Sequence, residues 1–329
     1  MPELPEVEHF RQLLLPLKSS LEAPSCLKLE CPSSTPPKSF PTKLELISLE
    51  QFFVADVCRK GKLVRLEMIR YKGGKGPLQL FLYLRFGMTG RISTADHIPA
   101  LKSLTNDVEY PPPHTHLVLR SNDYEAAFSD PRRFGAVIII EDDNFADLAP
   151  DAMNGKLAFG GLLGQRKGIK TLLLDQRSVM SGVGNWVADE VLYQSGIHPD
   201  QKFLMASEGD SIKMHLSSIL HTAVTCLGAN ENFPVEWIFN YRWRKGSLKT
   251  AHVKDSKGRD ISFLKSGGRT SAVVPSLQKL KSRKSNAVDG GPSFLSSNLV
   301  VKAVKNQPTK RKRSDASKQG KKSGRNKST

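Results

Sequence analysis

Midway along the chain stands Ser181-Gly182-Val183-Gly184-Asn185-Trp186-Val187-Ala188-Asp189-Glu190. Helical periodicity on either side predicts helices over 169–181 and 185–195, joined by the two glycines. Gly184-Asn185 opens the second helix. A helix start presents free N–H groups and the positive end of a dipole, so it binds anions. The Asn185 amide can donate to a phosphate, and Asn185 equally suits a plain N-cap with the glycines as turn residues. Trp186 reads as a packing residue. Downstream, Ile212, Leu216, Ile219, Ala223 and Leu227 form one stripe, an amphipathic helix over 209–227, and a short helix fits 234–243. Strand patterns at 260–264 and 270–274 flank Gly267-Gly268 as a hairpin.

Upstream the period falls to two. Strands are expected at 44–53, 62–69, 78–86, 116–120, 126–129 and 134–140, with a turn at 71–76 and a long loop at 95–113. Residues 20–42, rich in Ser and Pro, read as an exposed loop. A single helix precedes these strands: Val7, Phe10, Leu13, Leu14 and Leu17 are spaced for one face of 6–17. The expected class is α+β, an N-terminal β-sandwich flanked by helices and a helical C-terminal part ending in a hairpin. The expected divisions are 1–145, 146–245, 246–280 and a basic tail over 281–329.

The first eight residues, Met1-Pro2-Glu3-Leu4-Pro5-Glu6-Val7-Glu8, carry two readings. Pro5 suits the first turn of a helix, and Glu6 and Glu8 suit its positive end. If Met1 is removed, Pro2 offers a secondary amine able to attack a sugar aldehyde carbon and form an iminium. An N-terminal amine has a reference pKa of about 7.7–8.0, against about 10.4 for lysine, so part of it is neutral near pH 7. Glu3 and Glu6 lie close enough to move protons.

The chain has 329 residues and a formal charge of +17, from 49 basic and 32 acidic side chains. That charge is uneven: residues 281–329 hold 14 Lys and Arg against two Asp, leaving only +5 on the rest. A basic balance fits a polyanionic partner, although a solvated disordered arm accounts for such a tail equally well. Lys310-Arg-Lys-Arg313 fits a nuclear localisation signal or a DNA-sliding arm. Cys26, Cys31, Cys58 and Cys226 form no CxxC pair, so no zinc site of standard spacing is expected. No apolar run approaches a membrane span.

These motifs together resemble the Fpg/Nei DNA glycosylases, the formamidopyrimidine-DNA glycosylase (MutM) branch in particular. The N-terminus is matched first, then Lys62 in Arg-Lys-Gly-Lys-Leu and Phe86-Gly-Met88-Thr-Gly90. His114-Thr-His116, Asp130-Pro-Arg132-Arg133-Phe134-Gly135 and Gly182 to Glu190 follow in the family's order, over roughly residues 1–280. The resemblance implies a bifunctional glycosylase/AP lyase of base excision repair acting on oxidised purines in double-stranded DNA. It implies catalytic roles for Pro2, Glu3, Glu6 and Lys62, and a helix–two-turn–helix grip through Asn185. Met88, Arg132 and Phe134 would fill the space left by a flipped base. Arg133, His114 and Arg269 would contact DNA. It also implies no metal or organic cofactor, a monomer, and a zincless finger over 246–280. The strand reading makes Lys62 a solvated basic face, Met88 and Phe134 core residues, and Asp130–Arg133 a surface ion pair. Arg85 stands where bacterial members commonly place His. A non-catalytic damaged-DNA-binding protein on the same scaffold is the main alternative, with Nei-like pyrimidine preference and RNA binding behind it. The stretch 230–259 diverges from bacterial forms, which points to formamidopyrimidines over 8-oxoguanine, and the basic cluster points to the nucleus.

Overall fold

The computed structural model describes residues 2–19, 22, 24–32, 37–42, 49, 51–72, 75–100, 109–154, 166–244 and 253–282. The described residues all belong to one unit, within 1–288, and 289–329 lie outside the described residues.

Helix α1 (Leu4–Leu14) starts with Pro5 in its first turn and passes into a 3₁₀ turn at Leu15–Leu17. Pro16 lacks an N–H, so the α-ladder stops there. Its apolar stripe is buried, with Leu4, Val7, Phe10, Leu14 and Leu17 fully inaccessible. Two antiparallel sheets follow. Strands β1 (Lys28–Glu30), β2 (Phe53–Lys60), β3 (Leu63–Lys72), β4 (Lys75–Arg85), β5 (Arg91–Ser93), β6 (Thr115–Ser121), β7 (Tyr124–Ser129) and β8 (Ala136–Ile140) sort into the orders β1-β6-β7-β5 and β2-β3-β4-β8. One apolar cluster holds inward residues of both sheets, such as Leu66 and Leu82 with Leu117 and Phe128, together with Val7, Phe10 and Leu14 of α1. This is the expected sandwich.

Two expectations change in this half. The 20–42 stretch is not merely an exposed loop: it contains β1, and Leu27 and Phe40 enter the core. Lys62 does not lie on a strand, because Lys60 pairs with Leu63 and Gly61-Lys62 forms the two-residue turn. The strand expected over 44–53 falls largely outside the described residues, and β2 begins at Phe53.

The second half contains α2 (Ile169–Leu174), α3 (Asn185–Gln194) and α4 (Ala206–Gly228) around a separate core that includes Leu4. Helix α2 stops seven residues short of expectation. Asp175 accepts Arg177 N–H at 3.1 Å, while Gln176 donates to the Leu174 and Val183 carbonyls and accepts Gly182 N–H. These side chains replace the helical ladder and make two turns of 175–184. The 234–243 helix resolves into 3₁₀ turns at Ile238–Asn240 and Arg242–Arg244. Strands β9 (Ser262–Ser266) and β10 (Arg269–Val273) pair across Gly267-Gly268, both at positive φ. In the turn that precedes β9, closed by the Lys254–Asp260 bridge, Asp255 accepts Lys257 and Arg259 N–H and pairs with the Arg259 guanidinium, which also donates to the Tyr193 hydroxyl.

Candidate active site

Pro2 and Glu3 are buried at the start of α1. Glu3 N–H donates to Glu6 Oε2 at 3.0 Å, and Glu6 Oε1 accepts the Trp186 indole N–H at 3.1 Å. The Glu3 carboxylate accepts Trp186 N–H at 2.9 Å and Val187 N–H at 3.0 Å, at the start of α3. The free N–H groups expected to meet an external anion are thus occupied by the chain's own Glu3. The glycines serve that contact. A Cβ on Gly184 would stand 2.2 Å from Glu3 Cδ, and one on Gly182, at φ +104°, 2.3 Å from Leu4 Cδ1. The N-cap is Gly184 rather than Asn185, whose Nδ2 donates to the Thr270 carbonyl of β10 at 3.1 Å. Trp186 packs as expected, among Phe233, Trp237 and Phe239.

Burial pushes the Glu6 carboxyl up to about 7, and the neighbouring Glu3 charge adds to it. Lys62 is drawn in by its turn. Gly61, at φ +60°, donates N–H to Asp151 at 2.6 Å, and Arg59 bridges Asp151 and Glu8 at 2.5 and 2.8 Å. Burial lowers the Lys62 pKa, opposed by Glu3 and Glu6 and assisted by Arg269. Pro2, Glu3, Glu6, Lys62 and Arg269 therefore share one electrostatic neighbourhood, although they come from three segments.

A second group gathers around Asp130, which is fully buried and not in a surface ion pair. Its carboxylate accepts the Thr89 hydroxyl at 2.5 Å, Gly135 N–H at 2.6 Å and Arg132 N–H at 3.3 Å. This locks the 130–135 turn to the 87–90 turn, whose backbones meet so closely that a Cβ on Gly87 would lie 2.5 Å from the Phe134 carbonyl carbon. Met88 and Phe134 are 37% and 52% exposed rather than in the core, and the Arg132 guanidinium covers the Phe134 ring at 5.0 Å. Arg133 and His114 are exposed at positive φ. Asp130 was read only as the start of its motif and as a surface ion pair, and Arg59 and Asp151 were given no role from the sequence. Asp130 had a signal, Asp-Pro opening a turn. Arg59 and Asp151 had none, being 92 positions apart. Among the described residues no group of three or more His, Cys, Asp or Glu is placed to hold a metal ion.

A β-sandwich, a helix–two-turn–helix element and a glycine-turned hairpin, with a buried N-terminal carboxylate cluster between the first two, define a class of two-part, α1-bridged proteins. Residues 1–137 match the family model described as "Formamidopyrimidine-DNA glycosylase N-terminal domain", and 147–232 the one described as "Formamidopyrimidine-DNA glycosylase H2TH domain". The chain belongs to the formamidopyrimidine-DNA glycosylase family. It is 33% identical over 300 residues to the Formamidopyrimidine-DNA glycosylase of Arabidopsis thaliana, covering 85% of this chain and 71% of that one. The Gluconobacter oxydans protein of the same name is 31% identical, covering 70% and 80%. Two solved structures share the fold: Lactococcus lactis Fpg bound to DNA containing an AP site, and Thermus thermophilus MutM. Each is 24% identical with a TM-score of 0.59, over 84% and 85% of this chain respectively and 100% of the other.

Proposed function

We propose that this protein excises oxidised purines from duplex DNA as a bifunctional glycosylase and AP lyase. The observation that carries the reading is the convergence of Pro2, Glu3, Glu6 and Lys62, with Glu6 poised to hold a proton near neutral pH. The shared name of its plant and bacterial relatives supports the substrate class.

In the proposed course, the damaged base leaves the stack, at a cost of a few kcal/mol, and Met88, Arg132 and Phe134 fill its place. With Met1 removed, the Pro2 nitrogen attacks C1′. The C1′–base bond breaks and its electron pair leaves with the base, which takes up a proton. Glu3 takes up the proton released by the Pro2 nitrogen and delivers it to the ring oxygen, the sugar opens, and an iminium joins Pro2 to C1′. Glu6 serves as the proton reserve behind Glu3. Loss of a C2′ proton expels the 3′ phosphate, and a further elimination expels the 5′ phosphate, with Lys62 as a proton donor. Arg133, His114, Asn185 and Arg269 bind the DNA backbone.

Formamidopyrimidines and further-oxidised guanines are the favoured lesions, because 230–259 departs from the bacterial form; within it, 245–252 lies outside the described residues. Single-turnover excision from otherwise identical duplexes tests this. Formamidopyrimidine should leave faster than 8-oxoguanine, and the nicked product should carry phosphate on both sides of the gap. Intact AP-site DNA after incubation would instead mark a damage-binding protein. The protein acts as a monomer, and its Lys310–Arg313 cluster directs it to the nucleus. Replacing those four residues by Ala in a fluorescent fusion should abolish nuclear accumulation.

A further inference from the structure

The Trp186 indole N–H stands apart from the packing role of its ring. Trp186 is 2% exposed, and its indole donates to Glu6 Oε1 while its own backbone N–H donates to Glu3 Oε1. Glu6 Oε2 in turn accepts Glu3 N–H, the amide that follows Pro2. An unbroken chain of hydrogen bonds therefore runs from an aromatic cluster of the helical half, through Glu6, to the backbone that carries Pro2. The ring is clamped by Phe239 at 5.0 Å, Phe233 at 5.4 Å and Trp237 at 6.4 Å, so the N–H direction is fixed. A hydrogen bond from a rigid, desolvated donor orients its acceptor and favours the acceptor's charged form.

We propose that Trp186 is a positioning residue: its indole N–H holds the Glu6 carboxyl so that Glu6 fixes the Glu3 amide and, through it, the Pro2 nitrogen. This rests on the proposed Pro2 chemistry and extends it by making the nucleophile's placement depend on the helical half. The charged groups that face Glu6 are Glu3, the N-terminal amine and Lys62 on the β2–β3 turn, with Arg269 acting on Lys62 and Lys170 of α2 facing Glu3. Trp186 is the donor that α3 supplies to Glu6.

The test is borohydride trapping on AP-site duplex DNA, with rates measured from pH 6 to about pH 9 for wild type, Trp186→Phe, Glu6→Gln and the double variant. Phe keeps an aromatic ring in the cluster and removes the donor together with one ring of the buried indole, so thermal melts are run beside the trapping to separate the cavity's effect from the donor's. Without that donor Glu6 ionises at higher pH. Trp186→Phe should trap about fivefold more slowly near pH 7, the size expected for one buried hydrogen bond that positions the site, and the alkaline fall of its profile should move to higher pH because Glu6 keeps its proton longer. Glu6→Gln places an amide N–H against one of two donors, a clash that Phe at 186 relieves. The double variant should therefore trap faster than the product of the two single losses predicts. A Trp186→Phe profile superimposed on wild type, or a pH-independent loss that tracks lowered thermal stability with additive double-variant effects, overturns the proposal. If wild type itself forms no adduct, the proposed Pro2 chemistry fails instead, a result distinct from either of these.

Discussion

Glu190 is a fully buried carboxyl that accepts Phe239 N–H and the Gln194 amide, both at 2.9 Å, and burial lifts its pKa to about 7. Its folded pKa exceeds the unfolded value, so the folded state binds the proton more tightly. The stability this supplies is full below the unfolded pKa and is lost as pH rises through about 7. A shift of that size corresponds to about 3 kcal/mol at most. Thermal melts should show wild type losing stability relative to Glu190→Gln between about pH 5 and about pH 8; parallel curves would contradict this. Gly184→Ala acts at the N-terminal end of α3. With a Cβ at 2.2 Å from the Glu3 carboxyl, Glu3 must leave the helix start. Removing that cap should cost about 1–2 kcal/mol and abolish most trapping activity. An active, equally stable Gly184→Ala protein would show that Glu3 need not sit there.

Among the elements, the hairpin owes its seat to Asp189 on α3. Asp189 accepts the buried Lys170 ammonium at 2.6 Å, the Arg242 guanidinium at 2.8 Å and Ala272 N–H of β10 at 3.2 Å, while Lys170 also donates to Ser271 Oγ at 2.6 Å. Asp189→Leu strands the Lys170 charge, and denaturant melts should record a loss of about 3–5 kcal/mol; a loss under about 1 kcal/mol would mean the pair is dispensable. This cluster also marks where sequence reading ends. The sandwich, α1, α3 and the hairpin were legible because each repeats its period over several residues, as Val7, Phe10 and Leu14 do along α1. Helix α2 read too long because the side chains of Asp175 and Gln176 satisfy turn backbone in place of a helical ladder, which no apolar spacing records. Strands β1 and β5, three residues each, are too short for a period. In the site, the candidates in the Pro2 and Asp130 groups were legible as short motifs. The contacts that seat them, Asp151 to Gly61 N–H and the Trp186 indole N–H to Glu6, were not, since they join residues 90 and 180 positions apart.

Across the whole described unit, α1 is the shared element: Leu4 enters the helical core while Val7, Phe10 and Leu14 enter the sandwich. Glu8–Arg59–Asp151 repeats the link with charge. The Pro2 neighbourhood therefore exists only when both halves are docked. Charge is distributed otherwise. Residues 283–329 hold 13 Lys and Arg against two Asp. Truncation after 282 should flatten the dependence of DNA affinity on salt, by about 0.9 in log–log slope for each phosphate that the tail neutralises. An unchanged slope in anisotropy titrations would assign all phosphate binding to residues before 283. The central claim, that Pro2 is the nucleophile, is tested most directly by borohydride trapping on a duplex bearing one AP site, with Met-processed wild type beside Pro2→Gly. The account predicts a covalent adduct with wild type that falls steeply or disappears with the variant. A folded, processed wild type that binds the duplex but forms no adduct would contradict it.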